Sequence, residues 1–152
     1  MSLGDVRVRR PRQHELLIQT LVKEAGFPTM RDLLLFAGSL GSARGVREPF
    51  EASSEPIRYE ILTDPIFAES VLQMIAAASK PEDAEIVGAN KLQEAVTIFE
   101  EYANGGLGLI QGEINASHET SEQVCLRLVS EALAGDHQSR ATIDDLADEL
   151  SW

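Results

Sequence analysis

The chain has 152 residues, a mass of 16.6 kDa and a net charge of −12. The length suits one domain, and 43% hydrophobic with 25% charged residues excludes a disordered chain. No apolar run approaches the ~20 residues of a membrane-spanning helix, and the single cysteine, Cys125, excludes an internal disulfide framework or a cysteine-based zinc knuckle.

Charge is unevenly placed. Nine of the thirteen basic residues fall in 1–58 against seven acidic ones, whereas 59–152 holds four basic and eighteen acidic. Four arginines, Arg7, Arg9, Arg10 and Arg12, lie within six residues of one another. The first three make 1–11 a basic leader, and Val6-Arg7-Val8-Arg9-Arg10 alternates apolar and basic with the period of a strand. An acidic body repels polyanions at long range, but a local arginine arm can still touch phosphates because salt screens distant charge. The opening residues Met1–Asp5 hold no apolar signal core, so the expectation is a cytoplasmic protein.

Helical periodicity dominates from residue 12 onward. Leu17, Ile18, Leu21, Val22 and Ala25 form one apolar stripe over 12–25, and Gly26 suits the left-handed position after a helix. Thr29 can cap a second helix over 30–40, with Asp32 favouring its positive end. That helix is apolar nearly all round, so it should lie centrally, and Gly41 is expected to stop it. Residues 42–56, with glycine, two prolines and small polar residues, read as a long loop. Ile57–Ile61 alternates apolar and charged like a short strand.

Asp64-Pro65 opens a helix ending before Pro81, with Phe67, Ala68, Val71, Leu72, Ile75 and Ala76 facing inward. Another helix runs from Asn90 to Ala103 and is expected to end at Asn104-Gly105-Gly106. A shorter helical stretch covers 107–114. Thr120 and Gln123 have capping-box spacing and start a helix burying Val124, Cys125, Leu128, Val129 and Ala132, with Gly135 ending it. A final amphipathic stretch over 143–150 carries Asp144, Asp145, Asp148 and Glu149 outward, where they can meet a basic partner. The expected fold is a mainly α, compact bundle of six to seven helices with one or two short β segments, forming a single domain over 1–152.

Catalytic signatures are missing. His14, His118 and His137 lack metal-ligand spacing, and no His-Glu-x-x-His occurs, so no metal or cofactor is expected. Cys125 sits on an apolar stripe, as a buried structural thiol does. The glycines of 38–45 and 104–108 leave helices instead of opening them, which is the wrong order for a phosphate loop. Glu100 and Glu101 read as a solvated helix face, as mates for loop arginines or as holders of a cation. Arg44, Arg47, Glu100 and Glu101 are therefore the candidates for partner contact. No catalytic residue can be named, and the expectation is a protein that is not an enzyme.

A basic strand, an amphipathic helix, a glycine turn, a capping threonine and an apolar helix come in order, an arrangement that resembles a ribbon-helix-helix DNA-binding unit. That resemblance implies a strand paired across two chains, with Arg7 and Arg9 toward bases and the backbone of Thr29 and Met30 on a phosphate. DNA contact through Arg7, Arg9, Arg10, Arg12 and Thr29 is the second reading of function, and a lone strand's need for a mate makes a homodimer the expected assembly.

Taken together, Val6–Pro11, Phe27–Ala37, Arg47-Glu48-Pro49, Glu55–Arg58 and Ile98–Gly106 resemble a small family associated with bacterial DNA phosphorothioation (Dnd) systems, the Dnd system-associated protein 4 family. The resemblance implies a non-enzymatic cytoplasmic accessory to sulfur modification of the DNA backbone, or to the restriction that reads it. Its partners would be proteins of that complex. It brings no catalytic residues with it.

Overall fold

The computed structural model describes residues 6–64 and 66–134. The leader before Val6, Pro65 as a first-turn proline, Gly135 as a helix stop and the amphipathic 143–150 lie outside them. The described residues form six helices and a two-stranded antiparallel sheet. Strand β1 spans Arg7–Pro11 and leads through a 3-10 turn, Arg12–His14, into α1, Glu15–Glu24. Helix α2 is Met30–Arg44, β2 is Ser53–Arg58, α3 is the single turn Tyr59–Leu62, and α4 is Ile66–Ser79. Two 3-10 turns precede α5, Leu92–Ala116, and α6 covers 121–134.

Helix caps follow the sequence closely. Gly26 takes φ 84° after α1. The Thr29 side chain accepts from Asp32 N at 3.2 Å at the head of α2. Thr120 and Gln123 bond reciprocally, side chain to backbone, at 3.2 and 2.9 Å. These are contacts between residues three apart, so local chemistry suffices to form them.

Two expected stops do not stop anything. Helix α2 runs past Gly41 to Arg44 and is closed by Gly45 at φ 68°. Helix α5 runs through Asn104, Gly105 and Gly106 as one rod of 25 residues, joining the two helices expected at 90–103 and 107–114. The physical reason is close packing. α2 and α5 form the central pair of the fold, and their glycines let the backbones touch. A Cβ on Gly41 would run into the Tyr102 carbonyl, and one on Gly106 into the Ala37 carbonyl.

The long loop is shorter than expected, because α2 takes its start and β2 its end. The strand lies at 53–58, not 57–61, since Tyr59–Leu62 turns helical. In the sheet Arg7 faces Arg58, Val8 faces Ile57, Arg10 faces Ser54 and Pro11 faces Ser53. β2 thus carries one more residue than β1 between the paired positions, at Glu55-Pro56, where proline has no N–H for the ladder. The strand therefore finds its mate within the chain. This removes the argument that β1 must pair across a dimer axis, and it departs from the two-chain ribbon of ribbon-helix-helix proteins.

The core draws on every layer: Val6 and Val8 from the leader and strand, Ile18 and Leu21 from α1, Leu33 and Leu34 from α2, Leu72 from α4, Phe99 and Leu107 from α5, and Leu128 from α6. Three positions expected inside face out. Phe67 is 59% exposed, Val129 41%, and Ala132 is exposed on the outer face of α6. No helix among the described residues is long and apolar enough to cross a membrane.

Candidate functional site

A groove of about 470 Å³ opens between the sheet and the head of α2. Arg7 comes to it from β1, Arg58 and Ile57 from β2, Ile61 from α3, and Thr29, Met30 and Arg31 from the start of α2. Glu55 and Pro56, at the extra residue of β2, complete one side with Arg10. Four of the ten lining residues are arginines against one carboxylate, in a chain whose net charge is −12.

These arginines differ in what holds them. Arg10 is buried, donating through Nε to the Glu55 carbonyl at 2.7 Å and through Nη1 to Glu15 Oε1 at 3.2 Å. It is a fixed part of the wall. Arg31 donates through Nη1 to the Ile61 carbonyl at 3.1 Å, and its distance to Asp64 is 3.9 Å. Its Nε is buried with no hydrogen-bond partner. Arg58 is loosely matched to Glu60 at 3.7 Å, with both side chains substantially exposed. Arg7 is exposed and has no ion-pair partner among the described residues. The first bond of the α2 ladder is made by Leu33 N to the Thr29 carbonyl at 3.3 Å, and Asp32 N bonds the cap. That leaves the N–H groups of Met30 and Arg31 outside the helix's own ladder, at its positive end.

The other arginines of the leader are placed differently. Arg9 N donates to Glu100 Oε2 at 2.5 Å and Arg9 Nε donates to Oε1 at 3.1 Å, so one carboxylate of α5 holds both backbone and side chain of β1. The guanidinium lies 4.6 Å from the centre of the Phe50 ring. Glu100 is 1% exposed. Burial pushes its pKa up, and the hydrogen bonds and positive charge of Arg9 pull against that rise. Glu100 is therefore not a surface carboxylate, neither solvated nor open to a partner. Arg12 is exposed outside the groove, with Nη2 on the Ser53 carbonyl at 3.3 Å.

Arg47 bonds Glu101 at 2.7 Å and Ser79 at 3.3 Å, and lies 5.8 Å from the Tyr102 ring. Arg44 pairs with Glu131 of α6 at 3.2 Å, in the open. The pairing of Glu101 with a loop arginine matches one sequence reading, while Glu100 takes its arginine from the leader.

A second hollow, of about 450 Å³, is lined by Gln13, His14, Glu48 and Asn104 among others. Gln13 Nε2 donates to Asn104 Oδ1 at 3.1 Å and Asn104 Nδ2 to the Glu48 carbonyl at 2.9 Å, so its amides are mutually satisfied. Burial lowers the pKa of His14, favouring the neutral imidazole. Cys125 is buried and its thiol is pushed up, away from nucleophilic character. Among the described residues no three His, Cys, Asp or Glu side chains gather as metal ligands would.

Arg31 and Arg58 are the site residues that sequence reasoning missed. Signals for both existed: Arg31 sits two positions after a capping threonine, and Arg58 is the basic member of an alternating strand. The pairing that brings them beside Arg7 is non-local.

The sequence model of the family described as DNA sulphur modification system-associated protein 4 matches residues 7–147. No curated protein and no solved structure matches the chain.

Proposed function

The chain belongs to the DNA sulphur modification system-associated protein 4 family, and from that premise we propose that it serves such a system as a non-enzymatic accessory protein of the cytoplasm. It acts by contact with the system's other components. The observation that carries this reading is the composition of the main groove. Arginines, a helix head and apolar side chains can hold an anionic group, and among the described residues the one hydroxyl–carboxylate pair at the groove, Thr29 with Asp32, is engaged in the helix cap. The hydroxyl of Thr29 donates to Asp32 Oδ2 at 2.8 Å as part of the cap, and Glu100, the most buried carboxylate among the described residues, serves to hold β1. Such a protein changes the behaviour of its partners without making or breaking bonds.

The test is capture from a host that carries the whole gene cluster. Tagged chain is expected to recover one or more of the system's own proteins, and deletion of its gene to alter modification or restriction. Recovery of none of those proteins, together with unchanged modification and restriction, overturns the reading.

A further inference from the structure

We propose that the groove between the sheet and α2 is a binding site for a phosphodiester anion of a DNA strand, held by Arg7, Arg31 and Arg58 with the N–H groups at the head of α2. The inference rests on the accessory reading above and names the ligand of its groove.

Three independent observations carry it. The first is the sheet register. Arg7 and Arg58 stand directly opposite each other, and like charges in that position destabilise an antiparallel pair. A sheet of only two strands tolerates the arrangement best when an anion sits between the guanidinium groups. The second is Arg31, which lines the groove with Nη1 on the Ile61 carbonyl and has its one carboxylate neighbour among the described residues, Asp64, no nearer than 3.9 Å. A guanidinium matched so loosely within the chain keeps donors and charge for an oxyanion in the groove. The third is α2, whose 15 residues end at the groove in the partial positive charge of a helix N-terminus.

The ligand's chemistry follows from these donors. Guanidinium forks and backbone N–H groups suit a tetrahedral centre that offers several acceptor oxygens. An acidic peptide offers planar carboxylates with two acceptor oxygens each, fewer at one centre than a tetrahedral phosphate diester in a strand presents with its ester oxygens. The acidic remainder of the molecule repels a long polyanion, so contact is confined to a few phosphates and carries no base readout. The same chemistry is present in an ordinary phosphodiester and in one with sulfur in place of a non-bridging oxygen. The apolar lining at Ile57 and Ile61 accommodates either.

Fluorescence anisotropy of the full chain with two short labelled duplexes, one ordinary and one carrying phosphorothioate linkages, tests the proposal. With one phosphate neutralised in the groove and up to two beside it, raising salt from ~50 to ~200 mM should weaken binding about three- to fortyfold. Arg7→Gln/Arg31→Gln/Arg58→Gln should weaken it about fivefold or more, whereas Arg44→Gln, outside the groove, should leave it unchanged. If loss of the Arg31 bond to α3 unfolds the triple variant, Arg7→Gln/Arg58→Gln alters exposed side chains only and carries the same expectation. Binding to either duplex with this residue pattern supports the proposal, and the ratio of the two affinities says which backbone the groove favours.

No binding of either duplex at ~50 mM salt and about 100 µM protein, conditions under which even non-specific contacts register, overturns it. So does equal weakening by Arg44→Gln, or a poly-glutamate peptide that competes as well as duplex. A chain that captures the system's proteins yet ignores both duplexes loses this inference and keeps the accessory reading. A chain that binds duplex but captures none of those proteins and alters neither process does the reverse.

Discussion

Glu100 shows how a single side chain can be misjudged when its neighbours come from far along the chain. By sequence it is one of two adjacent glutamates on a helix, and exposed glutamate is the norm. Its burial depends on β1 arriving from 91 positions away, and no local pattern announces that. Thr29 and Thr120 were legible for the opposite reason, because each bonds a residue three positions on. The Arg9–Glu100 pair also makes an asymmetric prediction. Arg9→Ala takes the counter-charge from a carboxylate that is 1% exposed and leaves it only the backbone N–H of position 9, whereas Glu100→Gln frees a guanidinium that already reaches water. Arg9→Ala is therefore expected to cost about 3 kcal/mol near pH 8, the low end for breaking a buried pair since Arg9 is partly solvated, and Glu100→Gln clearly less.

The pH dependence has a definite sign. Burial sets the folded pKa of Glu100 above the ordinary 4.5. Between the unfolded and folded values the folded chain binds more protons, so this group's contribution is fullest below the unfolded value and is lost as pH rises through the folded one. Arg9→Ala removes the guanidinium's charge and side-chain bond but keeps the backbone N–H on Oε2, so the restraint on the rise is weakened and the window widens. Urea melts of Arg9→Ala at about pH 5 and about pH 8 should therefore show the larger deficit at the higher pH, as linkage requires. An equal deficit at both would show that Glu100 is not the group left unpaired.

At the scale of elements, glycine was the ambiguous letter. In α5, Gly105 and Gly106 read as a helix end, but both are packing positions, against the carbonyls of Val46 and Ala37. Gly112, in the same helix, has nothing within 4 Å of the point where a Cβ would stand. Gly106→Ala is accordingly expected to destabilise by about 2–3 kcal/mol through overpacking. Gly112→Ala should instead stabilise by about 0.5–1 kcal/mol through helix propensity. Thermal melts of the two variants check this, and a neutral Gly106→Ala would mean that α2 and α5 do not approach so closely. The sheet was half legible. Its first strand showed a clear period of two, while the second was displaced because Glu55-Pro56 adds a residue and Tyr59 begins a helical turn.

For the molecule as a whole, the mainly helical architecture and the basic leader were both readable from periodicity and charge. What the leader does was not. Of its three arginines only Arg7 stands open in the groove, and the two others that join it come from α2 and β2. Its residues Arg7–Pro11 are thus a structural strand with one outward cation. Deleting residues 1–11 should remove Val6 and Val8 from the core, strip β2 of its only partner among the described residues and leave Glu100 without a counter-charge. The shortened chain is expected to lose its cooperative thermal transition, followed by circular dichroism. A truncation that melts like the intact chain would show that the ribbon is dispensable.

Two turns of the longest helix, from Glu100 to Gly106, serve as the keystone of this architecture. There the rod grips the leader through Glu100, the turn after it through Asn104, the stretch before β2 through Glu101 and Gly105, and the central helix through Gly106. Damage at that spot cannot stay local. A change in any of these few side chains would be transmitted to the mouth of the arginine groove, although none of them lines it.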